Sequence, residues 1–181
     1  ILAYLGPEEP SADPAAIYYV DGLIVRGEPN LMLGEPKIGK TLTIEDLAVS
    51  MAAGLSDFCG RPIHARARVL LMPREDSTLT TRQRLWQITR ARGVNHADLV
   101  GWLEVDGTTP LRFDDPALVA RFRRCLARFD VAFIDSLSTI HAGDENTARD
   151  MGVAMNAWRD LSLGTNTTIV IVHHFRKPSE A

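Results

Sequence analysis

Short apolar runs alternate with longer helix-like stretches along most of this chain. The runs cover residues 30–33, 69–72, 102–105, 131–134 and 168–172, and the helix-like stretches cover 40–53, 77–92, 116–129 and 147–163. Strand followed by helix, repeated, predicts an α/β domain with a mainly parallel central sheet. The runs VLLM at 69–72, VAFI at 131–134 and TIVIV at 168–172 are apolar at both alternating positions. They read as central strands covered by helices on both faces. Helix punctuation agrees: Ser77 can cap the second helix, Pro116 suits the first turn of the third after Asp114 or Asp115, and Gly164 can close the fourth. Residues 1–16 carry Pro7, Pro10 and Pro14 and read as an irregular lead-in. Residues 17–181 form the expected core, which stops a few residues past the fifth strand and is expected to be incomplete at its C-terminal end.

With 181 residues, 45% hydrophobic and 24% charged, the composition fits one globular domain or a fragment of a larger one. It excludes collagen, a disordered tail and a coiled coil. Twenty Lys+Arg against 23 Asp+Glu give a formal charge of −3, so any nucleic-acid contact has to be local. Cys59 and Cys125 form no CxxC pair, which argues against a disulfide framework or structural zinc and points to a reducing, cytoplasmic setting. No apolar run reaches the roughly 18 residues of a membrane span and no leader opens the chain, so no membrane partner is expected.

The strongest chemical signal is Gly34-Glu35-Pro36-Lys37-Ile38-Gly39-Lys40-Thr41, followed by Leu42. It is a full G-x-x-x-x-G-K-[ST] placed between an apolar run and a helical stretch. Glycines let the backbone wrap a β-phosphate with its N–H groups at a helix N-terminus, Lys40 reaches the β- and γ-phosphates, and the Thr41 hydroxyl ligates Mg²⁺. The motif therefore predicts ATP and Mg²⁺ as cofactors. The run 131–134 ends in Asp135, which a parallel strand delivers to the same sheet edge, where it can serve the Mg²⁺ shell or simply begin a turn with Ser136.

Glu75 and Asp76 follow the run 69–72. Glu75 can orient the attacking water, or the pair can merely charge the N-terminal turn of the next helix; the residues leave both readings open. The last run ends in His173-His174, then Phe175-Arg176-Lys177. A polar group at that strand tip can contact a γ-phosphate, whereas two adjacent histidines on a strand point to opposite faces and suit one metal ligand at most. The arginine clusters 82, 84, 90, 92 and 121, 123, 124, 128 make no single stripe and read as solvated faces or subunit contacts, and Trp86, Trp102 and Trp158 read as packing residues.

In this order the motifs resemble the RecA-like branch of P-loop ATPases, and more closely the RepA-type hexameric helicases and their AAA-family relatives. The likeness is carried by GEPKIGKT at 34–41, PRED at 73–76, FIDSLSTIHAGDEN at 133–146 and IVHHFRK at 171–177, with VDGLI at 20–24 ahead of the phosphate loop. The resemblance implies a sheet order 3-2-4-5-1 for the five runs. It also implies Glu75 as the catalytic glutamate, Asp135 as the Mg²⁺-associated aspartate, and His173 and His174 as the γ-phosphate sensor. It implies a ring-shaped homo-oligomer, a hexamer in that group, with ATP between subunits, an arginine supplied in trans and single-stranded DNA as a partner. Arg176 and Lys177 are candidates for the trans contact. The function so read is an ATP-driven DNA translocase or helicase. The alternatives are a nucleotide-controlled assembly switch and, with no compact lid signature to support it, a small-molecule kinase.

Overall fold

The computed structural model describes residues 13–112, 115–140 and 148–174. In chain order the elements are α1 (Pro14–Ile17), β1 (Tyr18–Val20), β2 (Ile24–Val25), β3 (Pro29–Gly34), α2 (Lys40–Ala53), β4 (Asp57–Phe58) and β5 (Arg61–Pro62). There follow β6 (Val69–Pro73), α3 (Thr78–Arg92), β7 (Leu103–Val105), α4 (Pro116–Leu126), β8 (Val131–Asp135), α5 (Ala148–Thr165) and β9 (Thr168–His174). Single 3₁₀ turns lie at His96–Leu99 and Leu137–Thr139.

Five strands form one parallel sheet in the order β3-β9-β8-β6-β7. Numbered along the five apolar runs this is 3-2-4-5-1, the order the resemblance implies. The alternation within each central strand explains why both sheet faces need helices. Val69 and Leu71, Val131 and Phe133, and Val170 and Val172 join one core with Ile44, Leu47 and Met51 of α2 and Leu85 and Ile88 of α3. Leu70 and Met72, Ala132 and Ile134, and Ile169 and Ile171 join the other with Phe122 and Leu126 of α4 and Trp158 and Leu161 of α5. Trp158, 1% exposed, donates from its indole Nε1 to the Ile169 carbonyl at 3.3 Å, tying α5 to β9.

Two of the expected caps are present. The Ser77 hydroxyl accepts from the Thr80 amide at 3.1 Å, and Asp115 accepts from the Ala117 and Leu118 amides at 2.9 and 3.1 Å with Pro116 opening α4. Gly164 is not the expected helix stop: α5 runs on to Thr165, and Asn166 takes the left-handed position at φ 54°. A Cβ at Gly164 would meet only the tip of the Arg123 side chain, 2.5 Å from Nη1, which can swing aside. Two antiparallel hairpins, β1–β2 and β4–β5, are additions to the expected α/β alternation. The lead-in, read as irregular through residue 16, closes on one helical turn capped by Asp13 with Pro14 at its start. Residues 1–12, the segment GDEN at 143–146, and Phe175, Arg176 and Lys177 lie outside the described residues, as does the side chain of His174. No described helix is long and apolar enough to cross a membrane.

Candidate functional site

Strand register sets the site. Pro73 of β6 lies opposite Asp135 of β8, Asp135 opposite Val172 of β9, and His173 and His174 of β9 opposite Leu33 and Gly34 of β3. All four strands therefore end at one edge, where parallel α/β sheets place their ligands. The loop Gly34 to Gly39 leaves β3 there and feeds α2, whose N-terminal amides concentrate positive potential toward an anion. Two glycines make the bend possible. Gly39 sits at φ 94° as the residue preceding α2, and a Cβ on Gly34 would lie 2.5 Å from Ile38 Cδ1. Glu35, Pro36, Lys37, Ile38 and Leu42 are exposed on the loop and first helical turn, Lys37 at φ 67°.

Lys40 is only 6% exposed, and its ammonium donates to the Gly34 and Glu35 carbonyls at 2.8 and 2.6 Å. The loop carbonyls thus hold the charge of a residue that lines a cavity of about 290 Å³, whose walls also include Gly39, Thr41, Leu42, Asp76 and Arg84. Asp135 is buried at 2% exposure and its Oδ2 accepts the Thr41 hydroxyl at 2.5 Å. A hydroxyl and a buried carboxylate at the start of a phosphate loop are hard oxygen donors, the kind Mg²⁺ takes together with phosphate oxygens, so these residues fit the ion.

Glu75 stands one strand away. Its amide and that of Arg74 donate to the Asp135 carbonyl at 3.2 and 2.7 Å, and its carboxylate accepts the Ser136 hydroxyl, which also meets Ser138 Oγ at 2.7 Å. The Asp135–Ser136 peptide is cis. Lys40, Thr41, Asp135 and Glu75 are thereby brought to one place. His173, half-buried, ends β9 beside the strand that carries the phosphate loop.

Three arginines of the clusters read as solvated faces or subunit contacts are engaged in ion pairs, the loosest being Arg128 with Glu104 at 3.6 Å. Arg84 grips Glu45 through Nε and Nη2 at 2.7 and 2.6 Å and reaches Asp76 through Nη2 at 2.8 Å. Arg92 grips Asp46 at 2.8 and 2.5 Å. Burial pushes the Glu45 carboxyl up while the Arg84 guanidinium draws it back, and Glu45 holds Arg84 above its ordinary range. Glu45 is 1% exposed, so the guanidinium supplies the partner that a buried carboxylate needs. The sequence signal was slight: a glutamate among the apolar residues of the loop-proximal helix, with its partner 39 positions on. Trp86 also departs from the packing reading, being 58% exposed with its ring 3.6 Å from that of His96.

Comparisons with known proteins bear on this arrangement. The AAA domain family matches residues 8–180. No curated protein matches the chain. Among solved structures, the crystal structure of the RadB recombinase is similar, with a TM-score of 0.55 and 15% identity over 87% of this chain and 66% of that chain. This chain therefore spans just under two thirds of the RadB chain, and at that identity the likeness speaks for a shared RecA-like fold. With a phosphate loop at the edge of a parallel five-stranded sheet and a family match over nearly its whole length, this is a RecA-like P-loop ATPase domain, and the chain belongs to the AAA domain family.

Proposed function

We propose that this domain binds ATP with Mg²⁺ at the phosphate loop and hydrolyses it to drive a DNA translocase or helicase of RepA type, working as a ring of identical subunits. Loop amides between Gly34 and Leu42, all but that of Pro36, which has no N–H, and the Lys40 ammonium bind the phosphates. Thr41 and Asp135 hold the metal, which when bound neutralises phosphate charge. Glu75 orients the attacking water and accepts its proton, and His173 or His174 contacts the γ-phosphate. The observation that carries this reading is the Thr41–Asp135 hydrogen bond of 2.5 Å with Glu75 joined to the next residue, Ser136. It gathers a metal-binding pair and a basic carboxylate around one loop, the set of parts phosphoryl transfer to water needs. The likeness to a recombinase supports a DNA-linked role.

The test is phosphate release from ATP with and without Mg²⁺ and single-stranded DNA, alongside mass in solution with and without a non-hydrolysable ATP analogue. Mg²⁺-dependent release without any added acceptor excludes a kinase, and stimulation by DNA supports the motor. ATP-dependent assembly with slow turnover that DNA leaves unchanged would instead establish a nucleotide-controlled switch.

A further inference from the structure

We propose that Arg84 is a positioning residue for the Glu75 carboxylate, a strut that ties the helix of the phosphate loop to the segment bearing Glu75 and Asp76. The inference rests on the ATPase reading above and adds a residue to it. Arg84 lies on α3, eight residues beyond Asp76, and lines the same cavity as Lys40 and Thr41. Its Nε and Nη2 take both oxygens of Glu45, which sits one turn after Thr41 on α2. Its Nη2 also takes Asp76, the neighbour of Glu75. One planar fork thus spans the two elements whose separation sets the distance from Glu75 to the phosphates. Bidentate grip fixes orientation as well as distance, which a lysine ammonium cannot reproduce.

The two halves of the network differ in a telling way. The Glu45 half bears on stability, since its carboxylate is 1% exposed and leaving that charge unpaired is costly. The Asp76 half is different: its side chain is 40% exposed, and an ion pair so placed contributes little to stability. Its effect is on geometry. It anchors the residue adjoining Glu75, at the point where the chain leaves β6 and before Ser77 caps α3. Misplacing a catalytic group by about 1 Å costs on the order of a hundredfold in rate.

The experiment compares R84K, D76N and the double variant with the unsubstituted chain, measuring kcat for phosphate release, KM for ATP, binding of a non-hydrolysable analogue, and Tm. D76N cuts only the exposed half and keeps the Glu45–Arg84 pair, so it reads positioning without a folding defect. Expected are a fall in kcat of about ten- to a hundredfold in R84K and D76N, analogue binding and KM near unchanged, and a double variant no slower than R84K. The proposal is overturned if D76N keeps full kcat, if affinity falls in step with kcat, or if the two losses multiply in the double variant. An unsubstituted chain that releases no phosphate under any condition would instead remove the ATPase reading on which the proposal stands.

Discussion

Glu75→Gln isolates one charge in the site. Gln keeps the length and shape of Glu75, and its carbonyl oxygen can still accept the Ser136 hydroxyl, so the hydrogen bond that holds the side chain survives. Glu75 is exposed, and substitutions at such positions change stability by no more than about 0.5 kcal/mol, a Tm shift of about 2 °C at this chain length. What disappears is the capacity to take a proton from water. Positioned bases contribute about 10²–10⁴-fold, or roughly 3–5 kcal/mol of barrier. The variant is therefore expected to bind a fluorescent ATP analogue as tightly as the unsubstituted chain, to melt at nearly the same temperature, and to release phosphate about 10²–10⁴-fold more slowly. Single-turnover phosphate release at saturating ATP reads the chemical step directly. Unchanged turnover would refute the assignment of the base, and weakened analogue binding would show that Glu75 acts on the ground state instead.

Three further outcomes follow from the structure. Thr41→Val keeps the volume but removes the hydrogen that Asp135 accepts at 2.5 Å, so unfolding in denaturant should show a loss of about 1–3 kcal/mol and analogue binding should lose its dependence on Mg²⁺. Trp158→Ala should cost about 3–5 kcal/mol in the same measurement, because the side chain is 1% exposed between α5 and the sheet. Burial acts to raise the Asp106 carboxyl, but hydrogen bonds from Thr109 and Thr108 outweigh it and hold it at about 2, below the ordinary 3.8. A lowered carboxyl stabilises the fold above pH about 4 and loses that contribution as pH falls toward 2. After discounting for its partial exposure it contributes about 1 kcal/mol, which Asp106→Asn should remove from the acid limb of the stability profile.

The fold was largely legible because the parallel sheet writes itself into the chain. Strands buried on both faces are apolar at alternating and intervening positions alike, as 69–72, 131–134 and 169–172 are, and Ser77 and Asp115 mark helix starts through chemistry local to a single turn. The short hairpins were not legible, because two-residue strands such as Asp57–Phe58 carry no period to detect. Gly164 misled for a related reason. Glycine and asparagine both take left-handed positions, and here Asn166, at φ 54°, follows the last helical residue, Thr165.

The site divides along the same line. The phosphate loop is contiguous in sequence, since a bend around a phosphate needs its glycines, lysine and threonine at set spacings, so Gly34 to Thr41 announce it unaided. The carboxylates are discontinuous. Whether Glu75 merely charges a helix end or faces the phosphate loop depends on β6 lying beside β8, a pairing between segments about 60 residues apart. Arg84 is the extreme case: only the packing of α2 against α3 sets it on a buried Glu45, turning an arginine of unremarkable spacing into part of the site. Local chemistry is encoded where backbone conformation demands it, while pairing across the sheet edge comes from burial of the two apolar cores, which no short stretch of chain contains.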